Sequence, residues 1–468
     1  MTTNVGLRSE RGPILLALMV TTGLIAIDTT ILATAVPTIT KDLGGFTLFP
    51  WLFSIYLLAQ AVSVPIYSKL SDVIGRKPII LIGIGLFLLG SILCGLAWSM
   101  PALIAFRAVQ GLGAGAVQPM GITIAGDIYT LAERAKTQGY LASVWGISSV
   151  VGPTLGGIFS ALDAWRWIFF VNVPLGLIAA FLLVRNFHET VEKRQHKVDY
   201  LGAVLLTISM SLLILALLEG GQVWAWNSWQ SIGAFVLGGA ALVLFVLAER
   251  RAAEPILPLW VFSRRLLLTT SFIAFGSGAI LIGLSSYVPT YLEGSLDVSP
   301  LLAGLALAAL TLGWPIAAGY SGRIFLRLGF RTTALIGAVI VLIGSVIIAA
   351  FAGTPAVATV AIACFVIGAG MGLMATPSVI AAQASVPWNE RGVVTGTNAF
   401  ARAIGSAVGV AIFGAVANAI FASSSPSVPL LIAGSGAVFV AVLIAAVLTL
   451  AAVVAMPRTP VAIATAGE

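Results

Sequence analysis

The chain alternates long apolar runs with short polar joints. Runs of about 20 apolar residues, the length a helix needs to cross a bilayer, recur near residues 14–36, 49–70, 79–98, 101–126, 137–160, 166–187, 199–219, 230–248, 267–291, 300–322, 331–352, 356–380, 392–421 and 431–455. The pattern predicts an all-α integral membrane protein with 14 spans. The polar start MTTNVGLRSERGP leads into a first run too long for the core of a cleavable signal peptide. That run is therefore read as an anchoring span.

The first span also breaks the pattern. Leu15 to Pro37, LLALMVTTGLIAIDTTILATAVP, carries Asp28 past its middle. A carboxylate at such depth costs about 2.5–3.5 kcal/mol on insertion scales and normally faces the bundle interior. Two readings stand. Asp28 is a structural half of an ion pair that fixes helix packing, or it is a carboxyl that gains and loses a proton during transport.

Composition sharpens the class without changing it. Hydrophobic residues make up 59% of the chain and charged residues 9%, against about 25% charged in a soluble protein. The formal charge of +7 is topological. With the N-terminus inside, Arg76, Lys77, Arg134, Lys136, Lys193, Arg194, Arg250, Arg264 and Arg327 fall in or beside cytoplasmic joints, while Lys41 and Arg166 fall outside. This asymmetry is the positive-inside rule, and it puts both termini in the cytoplasm of a cell-membrane protein. No nucleic-acid partner is expected. Cys94 and Cys364 sit within spans, far from any metal-binding spacing, and read as small buried hydrophobes. His188 and His196 lie in the charged stretch HETVEKRQHK and read as solvated. With no metal spacing, nucleotide loop or clustered intramembrane carboxylates, an enzyme is not expected, and neither is a cofactor.

A repeat is hidden in the chain. An offset of 257 residues carries ERAKTQG at Glu133 onto ERGVVTG at Glu390, and Gly111, Gly113 and Gly115 onto Gly368, Gly370 and Gly372. An offset of 254 carries Gly75-Arg76 onto the turn at Gly329. Two six-span halves in the same orientation follow, 1–187 and 267–468, with an inserted span pair and its linkers at 188–266. Trp224, Trp226 and Trp229 in the joint of that pair suit a membrane interface.

Two parallel repeats with substrate between them describe a known transporter architecture, and here the residues reach a resemblance. The segment SKLSDVIGRK resembles the signature loop of the major facilitator superfamily. FRAVQGLGAGAV in span four and VVGPTLGG in span five are similar to further motifs of its drug exporters. IDTTILATAVP and WRWIFFVNVPLG resemble marks of the fourteen-span drug:proton antiporter branch. Ser68, Val73 and Ser148 depart from the usual residues of these motifs. The resemblance implies the major facilitator fold and a multidrug efflux antiporter driven by the proton gradient. It would exchange lipophilic, often cationic compounds for protons by alternating access, as a monomer in the lipid bilayer. An exporter of an endogenous lipid or metabolite on the same fold is the alternative.

The resemblance also assigns roles. Asp28 lies about 13 Å below the outer end of span one, and Arg107 about 9 Å below that of span four, taking 1.5 Å per residue. If the two spans are neighbours, as the family fold implies, Asp28 and Arg107 can meet and couple proton uptake to the cycle. Burial favours the neutral acid and Arg107 the charged one. Asp72, Gly75, Arg76 and Asp127 form the expected cytoplasmic latch: Asp72 against the span-thirteen N-terminus near Gly392, Arg76 against Asp127. Gly152, Pro153, Gly156 and Gly157 form the antiporter motif, where proline bends a helix amid small residues. Gln60, Gln118, Met120, Trp145, Met371, Met374, Asn398 and Phe400 are expected to border a central cavity. Arg402, buried in span thirteen with no acid in reach, is expected to bond helix carbonyls or Asn398, with substrate contact as the other reading.

Overall fold

The computed structural model describes residues 6–44, 48, 51–189, 199–221, 223–252, 255, 257–421 and 428–458. Lys193, Arg194 and His196, read above as cytoplasmic charges, lie outside the described residues. The helices are α1 (Gly12–Leu43), α2 (Trp51–Ile74), α3 (Arg76–Gly95), α4 (Met100–Ile128), α5 (Leu131–Ala161), α6 (Trp167–Phe170), α7 (Asn172–Asn186), α8 (Tyr200–Glu219), α9 (Trp229–Glu249), α10 (Trp260–Ser263), α11 (Arg265–Leu296), α12 (Pro300–Leu328), α13 (Phe330–Ala350), α14 (Val357–Ala384), α15 (Arg391–Phe421) and α16 (Val428–Ala455). No strand occurs among the described residues, as expected where backbone groups must be satisfied without water. Among the described residues, thirteen helical stretches are long and apolar enough to cross a membrane, and α8 adds the shorter Leu201–Leu217. The protein is thus a multi-pass membrane protein. The sixth span is broken at Val171 into α6 and α7.

Close helix contacts repeat with the sequence. A Cβ on Gly111 would strike the Tyr56 carbonyl oxygen, and one on Gly368 that of Leu310. A Cβ on Gly113 would strike Gly83 O and Phe87 N, and one on Gly370 would strike Gly337 O and Val341 N. Gly115 meets Gln60 O as Gly372 meets Trp314 O. The glycines are 257 apart and their partners 254 apart in every case. These glycines let α4 press its backbone against α2 and α3, and α14 against α12 and α13. The turns before α3 and α13 repeat too: Gly75 (φ 101°) and Gly329 (φ 83°) take a conformation that only glycine adopts without strain.

Two extended helix contacts, among others, join the halves. α5 packs on α12 and α15 packs on α2. Gly139 lies against Gly319 and Pro315, and Gly396 against Ser68 and Val64. Ser68, which departs from the glycine usual at its place, fits because Gly396 opposite it has no side chain. The inserted pair leans on one of these junctions. Leu206, Met210 and Ile214 of α8 share an apolar cluster with Leu58, Ala61 and Val62 of α2 and with Phe400 and Ala407 of α15.

Candidate functional site

Asp28 faces the interior of the first half. Its helix carries it beside α4 and α7, where α1 packs. Arg107 Nη1 donates to Asp28 Oδ2 at 2.7 Å. The other carboxylate oxygen, Oδ1, accepts from Gln110 Nε2 at 2.7 Å and from Asn172 Nδ2 at 2.9 Å. Ser91 Oγ accepts from the same two amides, at 2.7 and 3.1 Å. Arg107 also donates to Gln110 Oε1 at 2.6 Å and to the Leu52 carbonyl at 3.2 Å, and its guanidinium lies 4.1 Å from the Tyr56 ring centroid. Asp28 and Arg107 are each 1% exposed. The cage is therefore closed to bulk solvent in this conformation. It surrounds an acceptor with donors, the arrangement that compensates a buried carboxylate.

Local sequence explains how the cage assembles. Ser99 caps α4 by accepting from Ala102 N, fixing the register that carries Arg107 and, one turn on, Gln110. Asn172 is the first residue of α7, and its amide reaches Asp28. Gln110, Ser91 and Asn172 were not singled out from the sequence. Two signals were there: Gln110 follows Arg107 by one helical turn in FRAVQGLG, and Asn172 is the one amide in WRWIFFVNVPLG.

At the other end of α2 a second buried network spans the halves. Asp72 accepts from the backbone N–H groups of Gly392 at 3.0 Å and Val393 at 2.8 Å, at the positive end of α15. Arg76, wholly buried, pairs with Asp72 at 2.8 Å and Asp127 at 3.0 Å. Its guanidinium donates to Ser71 O and Trp388 O and stacks 3.9 Å from the Trp388 ring centroid. Arg391 reaches Asp127 at 3.4 Å from the second half. Gly75 supplies the turn between Asp72 and Arg76. Two further groups went unread. Glu189 accepts from the N–H groups of Arg76 and Lys77, both at 3.0 Å, capping α3 from within the stretch taken as a solvated charge run. Gln383 of α14 donates to Thr395 Oγ1 at 2.9 Å and to the Ile122 carbonyl of α4 at 3.4 Å.

The span-five motif lies against α1. A Cβ on Gly152 would strike Thr30, whose hydroxyl donates to the Ser148 carbonyl at 2.9 Å. α5 continues through Pro153 without interruption. Gly156 is buried, and nothing stands near Gly157.

The expected cavity residues divide. Gln60 Nε2 donates to Gln118 Oε1 at 2.7 Å, and both are partly exposed, as is Trp145. Met120, Met371 and Met374 are fully buried in apolar cores, so they fill space between helices in this conformation and line nothing open. Phe400 packs under the inserted pair. Asn398 reaches Thr270 Oγ1 at 3.5 Å. Arg402 differs from expectation. It forms no side-chain hydrogen bond or ion pair among the described residues; the Arg402 carbonyl accepts from Ser406 Oγ at 3.2 Å.

Comparison with known proteins places this geometry. Residues 18–410 match the family described as Major Facilitator Superfamily. The chain is 37% identical over 398 residues to Multidrug resistance protein 3 of Bacillus subtilis (strain 168), covering 85% of this chain and 77% of the relative. It is 34% identical over 417 residues to Multidrug transporter protein MdtP of the same organism, covering 88% and 76%. In fold it is similar to the crystal structure of the human organic anion transporter MFSD10 (TETRAN), with a TM-score of 0.69, 14% identity, and coverage of 95% of this chain and 100% of that one. Bundled helices, the doubled glycine contacts and the SKLSDVIGRK turn thus have one common source: the chain belongs to the Major Facilitator Superfamily, a family of transporters and not of enzymes.

Proposed function

We propose that the protein is a proton-coupled antiporter that exports lipophilic compounds across the cytoplasmic membrane by alternating access. Its relatives are named for multidrug resistance and multidrug transport, which supports efflux. The observation that carries the proton assignment is the cage of Asp28: one deep carboxylate held by Arg107, Gln110 and Asn172. Arg107 stays charged at physiological pH. Movement of α4 or α7 away from α1 takes these donors from Asp28, and that links the carboxylate to helix movement. The networks at Asp72, Arg76 and Asp127 close one end of the molecule, which we assign to the cytoplasm on the positive-inside rule. In this reading the conformation is closed inward, the latch breaks on opening inward, and both termini are cytoplasmic.

The gradient is sufficient. One pH unit supplies about 1.4 kcal/mol per proton, and 100 mV about 2.3 kcal/mol per charge. Two units and 100 mV give about 5 kcal/mol, a several-thousandfold concentration of a neutral compound per proton. The working unit is a monomer with protons, small molecules and lipid as its partners, and it needs no cofactor. Asp28→Asn tests the proposal. Everted vesicles carrying this variant should insert the protein normally and lose acidification-driven dye uptake. Wild-type uptake by the variant would refute the coupling role.

A further inference from the structure

Among the described residues, three Asp, Glu, Lys or Arg side chains lie more than six residues inside both ends of their helices: Asp28, Arg107 and Arg402. The first two neutralise each other at 2.7 Å. Arg402 is left as an uncompensated deep charge, with no hydrogen bond or ion pair among the described residues. A guanidinium at such depth is retained where it meets water in a cavity or an anion.

Its position on α15 selects between lipid and interior. Arg391, Thr395 and Arg402 follow at steps of four and seven residues, one face of a helix. Arg391 bonds Asp127 of α4, and Thr395 accepts from Gln383, which also donates to Ile122 O of α4. That face therefore looks across the junction of the halves, and Arg402 sits about 10 Å beyond Thr395 toward the middle of the bundle. Gln118, one turn from Ile122 on α4, holds Gln60. Arg402 is partly exposed. Asn398, one turn before Arg402 on α15, has a buried amide oxygen with no partner among the described residues. Its Nδ2 donates to Thr270 Oγ1 at 3.5 Å, and the second N–H of that amide has no partner among the described residues.

We propose that Arg402, with Asn398, forms an anion subsite in the transport path, so that the protein carries lipophilic anions, carboxylates or sulfonates, in preference to cations. This rests on the export reading above and names its substrate class. The deep carboxylate that would receive a cation is already held by three donors, whereas the deep guanidinium is free to take a planar carboxylate in two parallel bonds. The proposal has an electrical signature. Exchange of one proton for a monovalent anion moves two positive charges inward, whereas exchange for a monovalent cation moves none.

The test uses the full-length protein. Equilibrium binding of pyrenebutyrate and of rhodamine 6G to detergent-solubilised protein needs no gradient and so stands apart from the coupling mechanism. The expected result is tighter binding of pyrenebutyrate, a fall of tenfold or more in the anion-to-cation affinity ratio in Arg402→Gln, and partial recovery in Arg402→Lys. In proteoliposomes, a valinomycin-imposed potential, negative on the cytoplasmic side, should accelerate anion export. A wild-type preference for rhodamine 6G would overturn the proposal, even if Arg402→Gln failed to fold, and so would an unchanged ratio in a folded Arg402→Gln. Loss of gradient-driven transport with the anion preference intact would instead count against the proton coupling alone.

Discussion

Asn172, the first residue of α7, donates to the carboxylate of Asp28 from 144 positions away, at 2.9 Å. The contact ties span six to span one at the depth where Arg107 approaches from span four. A hydrogen bond to a charged group is worth about 1.5–3 kcal/mol. Asn172→Ala removes a donor to the carboxylate. Gradient-driven exchange in proteoliposomes should fall by about tenfold or more at equal protein content, and an unchanged rate would separate the cage from coupling.

Asp72→Asn should loosen the closed end. Asp72 holds two backbone N–H groups of α15 and the Arg76 guanidinium. Losing its charge leaves Arg76 to Asp127 alone and weakens bonds worth about 1.5–3 kcal/mol each. A population shift of tenfold or more toward the open end follows, readable as longer spin-label distances between α2 and α15. Distances identical to wild type would show that the bond carries no conformational energy.

The doubled glycines make a paired prediction. Gly113→Ala and Gly370→Ala each force a methyl into facing backbone and should destabilise by about 1–3 kcal/mol, the cost of overpacking. Gly157→Ala meets open space and should melt as wild type does. Thermal unfolding in detergent measures all three.

An acid-sensitive clasp joins α1 to α6 at the opposite end. The indole N–H of Trp165, then Arg166, both bonded to Asp42 Oδ2 at 3.0 and 2.8 Å, hold its carboxyl below the usual carboxylate range. A group whose folded value is depressed stabilises above its unfolded value of about 3.9 and loses that contribution as pH falls through the folded one. The stability gap between wild type and Asp42→Asn should stay level from pH 5 to 8 and close below pH 4. A gap that persists at pH 3 would assign the effect to packing.

Much of this was legible in the chain because membrane physics leaves few options. A run of apolar residues has to be a helix, and depth along a helix is arithmetic, so Asp28 and Arg107 were brought to one level before any coordinates. The glycine repeat carried the doubled backbone contacts for the same reason: only glycine permits them. What stayed hidden were neutral polar residues. Ser91, Gln110, Asn172 and Gln383 resemble the many span residues whose side chains bond their own helix carbonyls, as Thr21 does with Ala17 and Ser277 with Ile273. Sequence spacing does not say which of them reaches across to another helix. Glu189 was hidden by its company, a charged stretch in which one carboxylate caps a helix. For Arg402 the sequence left two readings, carbonyl bonding and substrate contact, and the first finds no bond among the described residues.

The inserted pair is in contact with both moving parts at once. α8 lies along α2 of the first half and α15 of the second, sealing the line where they meet. In the export reading proposed above, rocking that parts those two helices drags α8 with one and slides it over the other across its apolar flank of Leu206, Met210 and Ile214. Among the described residues no inserted helix covers the second line of meeting, between α5 and α12, so the two sides of the molecule are unequal toward lipid.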